Sequence, residues 1–301
     1  SEFTIIKKYL SGIGASYLNS NGVELAGGDD CAVLATQAKL LISTDTSVAG
    51  IHFLKSMQPH AIAYRAVSTA LSDIAAMGGV PTAFNLSLVI PTFDPSWMKD
   101  FRKGLIKISN EHKIPLIGGD LVKGPLQISV TVLGQPGRKI LLRSGAKHGD
   151  ILCLSGVLGQ AYMGLKEFKA SSLINAQTKP YLFPKAQVGY AQAIAPYATA
   201  AIDVSDGIFQ DLSHLIDQSN IGCELDLDQV PVADSLYQKQ CLEFGDDYQL
   251  LFTVPPNKLA LLQSKIKSMG KKCHTIGVMK GTRLKILNNP FKTIKNWDHF
   301  R

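Results

Sequence analysis

The chain has 301 residues, 46% hydrophobic and 18% charged, with a formal net charge of +7. That balance suits a globular protein of roughly two domains, long enough to build its core without disulfides or a structural metal. The five cysteines are scattered, odd in number and form no Cys-x-x-Cys pair, which speaks against a zinc site or a disulfide framework.

Hydrophobic periodicity alternates between strand and helix along the whole chain. Strands are expected over 31–35 and 40–44, followed by a long helix over 59–77 with Pro59 in its first turn. A strand over 83–90, a helix over 95–112 and an alternating strand over 127–133 come next. The polar, Gly-rich stretch from Gly134 to Arg138, and a second from Arg143 to Asp150, place a boundary near 135–150. The expected domains are therefore 1–138 and 139–301. Beyond the boundary, a strand over 151–155 is followed by helices near 158–169, 184–195, 206–219 and 256–269. Strands are expected near 223–227, 248–254, 273–278 and 283–287. The fold class is α/β (α+β), with two mixed α/β domains.

Seven aspartate-bearing segments stand out: Gly28-Asp29-Asp30, Ser43-Thr44-Asp45-Thr46, Ser72-Asp73, Gly118-Gly119-Asp120, Asp203-Val204-Ser205-Asp206, Asp211, which lies inside a helix and reads as structural, and Gly245-Asp246-Asp247. Short carboxylates flanked by Gly and Ser suit a small hard cation or a phosphate, and acids gathered in one fold need a positive partner. Magnesium with a nucleotide is the economical answer. On the helix over 59–77, a turn of about 100° per residue puts Ile62, Ala66, Thr69 and Asp73 on one stripe, so Asp73 points with the core residues. Ser43 to Thr46 and Gly118 to Asp120 each follow an apolar run, so both are expected where a strand ends, the place where α/β folds collect ligands. Pro125 and Leu126 stand where a phosphate-binding loop needs Lys and Ser or Thr, and no Gly-x-Gly-x-x-Gly occurs. Asp203 to Gly207 opens an amphipathic helix whose N-terminus offers N–H groups to an anion. Arg143 is the natural cation for a transferring phosphate, and His52 is a candidate contact for an anionic acceptor.

Two further expectations concern location and partners. No apolar run approaches the roughly 20 residues that span a bilayer. Ser1-Glu2-Phe3-Thr4 lacks the features of a signal peptide, so a soluble, cytoplasmic protein is expected. Late lysines, among them Lys265, Lys267, Lys271 and Lys272, are not interleaved with aromatics, so they read as a solvated basic face and not as a nucleic-acid platform.

Taken together, the motifs resemble the thiamine-monophosphate kinases, members of the ATP-binding superfamily that includes aminoimidazole ribonucleotide synthetase. The resemblance runs nearly end to end, through Gly28 to Ala32, Ser43 to Phe53, Leu71 to Gly78, Gly118 to Asp120, Arg143 to Lys147, Ile202 to Gly207 and the closing Asp298-His299-Phe300. It implies a homodimer formed through the N-terminal sheet and a C-terminal domain closing over the nucleotide. The implied reaction is Mg²⁺-dependent transfer of the ATP γ-phosphate to thiamine monophosphate, with several Mg²⁺ ions. The metal ligands implied are Asp30, Ser43, Thr44, Asp45, Asp73, Asp120, Asp203 and Asp206. Gly119, Asp120, Arg143 and Ser205 are implied as nucleotide contacts and His52 as a contact to the thiamine phosphate. The catalytic set is then Asp45, Asp73, Asp120 and Arg143. Asp246 stands where the family usually has Glu, one methylene longer, and is implied as a substrate contact; Trp297 is the candidate for stacking on thiamine. The alternative is another ATP-dependent ligase or dehydratase of the superfamily, which activates an oxygen as a phosphate and releases inorganic phosphate.

Overall fold

Alternation of apolar and polar residues makes Gln127–Gln135 (β6) a strand whose Ile128, Val130 and Val132 are buried while Ser129 and Thr131 face away. In this computed structural model, which describes residues 23–25, 32–35 and 39–294, β6 is central to a six-stranded sheet. The other strands are Val23–Leu25 (β1), Ala32–Ala35 (β2), Lys39–Val48 (β3), Val80–Ile90 (β4) and Leu116–Lys123 (β5), in the order β1-β2-β3-β6-β4-β5. All neighbours are antiparallel except β4 and β5, which are joined by helix Pro95–His112 (α2) as a crossover. Asp94 caps α2 by accepting from Ser96 N at 2.8 Å, and Pro95 fits its first turn.

Helix Pro59–Ala76 (α1) lies between this sheet and the second half of the chain, so it is buried almost all round. Ile62, Ala66 and Thr69 are buried and Asp73 continues their stripe, as periodicity requires. A neighbouring stripe is polar and points across to the second half. Arg65 Nη1 donates to Tyr181 O at 2.7 Å, Ser68 Oγ to Pro184 O at 2.7 Å, and Ser72 Oγ to Asp203 Oδ2 at 2.6 Å.

Where α1 crosses α2, a Cβ on Gly104 would lie 2.1 Å from His60 O. Gly104→Ala is therefore expected to push the helices apart at a cost of about 1–3 kcal/mol. A thermal melt checks this, and an unchanged midpoint would contradict the close approach.

The second sheet has the order β12-β9-β11-β7-β10-β8. Its strands are Ile151–Leu154 (β7), Ala200–Val204 (β8), Cys223–Asp226 (β9), Gln249–Val254 (β10), His274–Met279 (β11) and Leu284–Leu287 (β12). Helices Gln160–Ser171 (α3), Lys179–Leu182 (α4), Val188–Ile194 (α5), Ile208–Ser219 (α6), Gln238–Glu243 (α7) and Pro256–Ser268 (α8) connect and cover it. Segment 136–150 between the sheets contains neither helix nor strand.

Three expectations are corrected. β3 continues to Val48, because Thr44 and Thr46 pair their hydroxyls with Thr131 and Ser129 on β6, each at 2.8 Å, so Ser43 to Thr46 lies inside a strand and not at its end. Gly118-Gly119-Asp120 likewise lies within β5, hydrogen-bonded alongside β4. β8 was not among the expected strands. Its five residues are all buried, and burial beside α1 and β10 decides its conformation more than the weak strand preference of Ala.

Candidate active site

Pleating sends Ser43, Asp45 and Ser47 of β3 toward α1 and Thr44 and Thr46 to the opposite face. Ser43 Oγ donates to the Asp73 carboxylate. From the other half, β8 delivers Asp203, 4% exposed, to the Ser72 hydroxyl of α1. Asp206 follows at the turn into α6, where Gln210 Nε2 donates to it at 2.9 Å. Asp45, Asp73, Asp203 and Asp206 thus face a single cavity of about 790 Å³ between the two halves. Burial raises the pKa of Asp45, against the Thr69 hydroxyl and the charges of His52 and Arg65, which favour its ionised form.

The same cavity carries cations and rings. His52 and Arg65 line it together with Lys169 of α3, and Phe53, Tyr181, Phe244 and Tyr248 add aromatic surface. Val48 N donates to His52 Nδ1 at 3.0 Å, which places the ring proton of the neutral imidazole on Nε2. Behind the Ser205-Asp206 turn sits Asp211, 2% exposed, whose Oδ2 accepts from Ser205 N and Asp206 N, each at 3.1 Å. Burial, then the charges of Asp206 and Asp203, hold its carboxyl well above the usual range.

Residues 28–135 match the family AIR synthase related protein, N-terminal domain, and residues 135–287 match AIR synthase related protein, C-terminal domain. A thiamine-monophosphate kinase of Buchnera aphidicola subsp. Schizaphis graminum is 36% identical, with 100% of this chain and 99% of that protein covered. The chain belongs to the thiamine-monophosphate kinase family. The Escherichia coli K12 thiamine-monophosphate kinase is also 36% identical, over 92% of this chain and 90% of its own. Among solved structures, thiamine-monophosphate kinase from Stenotrophomonas maltophilia K279a superposes with a TM-score of 0.79 at 31% identity, covering 96% and 97% of the two chains. AaThiL complexed with AMPPCP and TMP superposes with a TM-score of 0.81 at 28% identity, covering 96% of each.

In this thiamine-monophosphate kinase family member, the residues singled out from sequence fall into three groups. Asp45, His52, Asp73, Asp203, Ser205, Asp206 and Asp246 line the cavity, and Ser43 reaches it through Asp73. Thr44 borders the cavity, but its hydroxyl is engaged with Thr131. Gly119 and Asp120 are not brought to the cavity within one chain. Asp120 is in register with Ser87 and, through it, with Ser129 and Thr46, three strand spacings or about 14 Å away across the sheet. It borders a separate apolar groove beside α2 instead. Arg143 is not among the residues lining the cavity; its charge acts on Asp211, favouring the ionised carboxylate. Asp30 and Trp297 lie outside the described residues. Sequence reasoning missed Arg65, Thr69, Lys169 and the anchoring role of Asp211. Only the position of Thr69 on the Asp73 stripe signalled any of them.

Asp247 is also separate from the chemistry. Its carboxylate accepts from Gly159 N at 2.5 Å and Ala161 N at 2.9 Å, holding the start of α3, and burial raises its pKa to about 7. A raised folded-state pKa contributes stability that is complete below the unfolded value of about 4 and is lost as pH rises through about 7. Melting temperature is therefore expected to fall as pH rises from about 4 to about 7, and Asp247→Asn to flatten part of that slope. Parallel wild-type and variant profiles would show that burial does not perturb this group.

Proposed function

We propose that this chain transfers the γ-phosphate of ATP to thiamine monophosphate, giving thiamine diphosphate and ADP. The observation that carries the reading is one cavity, lined from both halves, that gathers Asp45, Asp73, Asp203 and Asp206 together with His52, Lys169 and aromatic rings. A nucleotide with a hard cation suits the carboxylates, and a phosphorylated aromatic acceptor suits the basic side chains and rings.

The four aspartates offer oxygen donors only, which fits Mg²⁺. Among the described residues, no three His, Cys, Asp or Glu side chains are grouped so as to hold an ion alone. Mg²⁺ sites are commonly made of one or two carboxylates, water and substrate phosphates. Asp45, Asp73, Asp203 and Asp206 would contribute to such sites singly or in pairs, with water and substrate phosphates completing them. Bound there, Mg²⁺ offsets phosphate charge and fixes the transferring group.

The acceptor is a phosphomonoester with a second pKa near 6, so it is largely dianionic at neutral pH and needs no general base. His52 Nε2–H and the Lys169 ammonium orient that dianion and reduce its repulsion from the nucleotide. An acceptor oxygen forms its bond to the γ-phosphorus as the bond to the bridging oxygen of ADP breaks. Phe53, Tyr181 and Phe244 exclude water and offer ring faces to the organic part of the acceptor.

We further take 1–138 and 139–301 as the two domains, supported by the sheets ending at Gln135 and resuming at Ile151. We also take the active form as a cytoplasmic homodimer. The polar face of the first sheet and the edge strand β5 support pairing with a second copy. Among the described residues no helix is long and apolar enough to cross a membrane. Incubation with ATP, Mg²⁺ and thiamine monophosphate tests the function. Thiamine diphosphate and ADP are expected in equal amounts, and inorganic phosphate without thiamine diphosphate would overturn the reading.

A further inference from the structure

Arg65 is 5% exposed on α1, and its Nη2 contacts both carboxylate oxygens of Asp246. The guanidinium is fixed twice more on Tyr181, by the bond to its carbonyl oxygen and by lying 4.7 Å over its ring. Asp246 sits in an unusual backbone. Gly245, Asp246 and Tyr248 have φ of 72°, 63° and 51°, a left-handed run that costs non-glycine residues about 1–3 kcal/mol each. At Gly245 a Cβ would lie 2.2 Å from Ser205 O. The run is docked onto the turn that bears Asp203 and Asp206, with Asp246 N donating to Ser205 O at 2.8 Å and Tyr248 N to Val204 O at 2.9 Å. The backbone of Asp246 is thus set by one half of the protein and its carboxylate by an arginine from the other. An ionised carboxylate accepts about four hydrogen bonds. Arg65 Nη2 has two protons to give and the Tyr248 hydroxyl one, so Asp246 keeps capacity for one further donor in the cavity it lines.

We infer that Arg65 is a positioning residue that holds the Asp246 carboxylate in place to receive a hydrogen-bond donor of the acceptor substrate. The inference rests on the kinase reading and extends it to a residue pair that spans the two halves. A buried arginine stripped of its carboxylate is left uncompensated, whereas Asp246 stripped of Arg65 loses its main counter-charge and is pushed away from Asp45 toward water. The two side chains therefore act as a unit.

The test uses steady-state kinetics with each substrate varied separately for Arg65→Lys, Arg65→Met, Asp246→Asn and the Arg65→Met/Asp246→Asn double variant. Arg65→Met is expected to raise KM for thiamine monophosphate about tenfold or more while KM for ATP stays within about twofold. Arg65→Lys should recover part of that loss, because a point charge still meets the carboxylate. The double variant should be no worse than the poorer single one. KM does not depend on the folded fraction, so Arg65→Lys keeps the test decisive if Arg65→Met folds poorly. An unchanged KM for thiamine monophosphate in both Arg65 variants, an equal rise in both KM values, or additive losses in the double variant overturns the inference and leaves the kinase reading standing. A wild-type protein that forms no thiamine diphosphate overturns both.

Discussion

Asp45→Asn and Asp73→Asn are each expected to lower turnover by at least about 10²–10³-fold, the scale of removing one preorganised charge partner from a transferring group, while the protein stays folded. Asn keeps the shape of the side chain and one acceptor oxygen, so Ser43 Oγ can still donate at position 73. What is lost is negative charge facing the cavity. Stability should move the other way at position 45. Burial raises the Asp45 pKa, and Asp246 adds to the rise, so the ionised carboxylate disfavours the fold above that pKa. Removing its charge is expected to leave the melting temperature equal or higher at pH 7.5. Loss of activity without loss of stability is the pattern of a group kept for chemistry. Circular dichroism melts beside a thiamine diphosphate assay at saturating Mg²⁺ decide it, and near-wild-type turnover in both variants would remove the assigned role of these acids.

How much of this site was legible depends on where each signal lay. Helix α2 was readable to its ends because Asp94, Pro95 and the residues near His112 carry local start and stop chemistry. Asp73 was readable because its stripe is a property of one helix. The Ser43 to Thr46 run was misplaced at a strand end because its polar residues read as a turn. What keeps them extended is hydroxyl pairing with residues 87 and 83 positions later. Arg65 was invisible for the same reason in stronger form. An arginine on a helix usually reaches water, and here its partners lie 116 and 181 residues downstream. Gly118-Gly119-Asp120 attracted a loop reading from composition, while its pairing with β4 makes it strand.

Asp211 gives the sharpest separation of charge from hydrogen bonding. Its position in the first turn of α6 is unremarkable in sequence, yet the structure buries it against two backbone N–H groups of the Ser205-Asp206 turn. Asp211→Asn retains an oxygen that can accept both N–H groups and removes a charge beside Asp203 and Asp206, so melting temperature should not fall and turnover should stay within about tenfold. Asp211→Leu has no acceptor. It leaves two half-buried N–H groups without that acceptor, at up to about 1–3 kcal/mol each, so the melting temperature should drop by several degrees. Turnover should fall with it, because the turn that aims Asp203 and Asp206 has lost its anchor. The informative comparison is between the two variants at one temperature well below both melts. If Asp211→Asn abolishes turnover as completely as Asp211→Leu while remaining stably folded, then the negative charge itself acts at the cavity. Asp211 would then belong with Asp45 and Asp73 and not behind them.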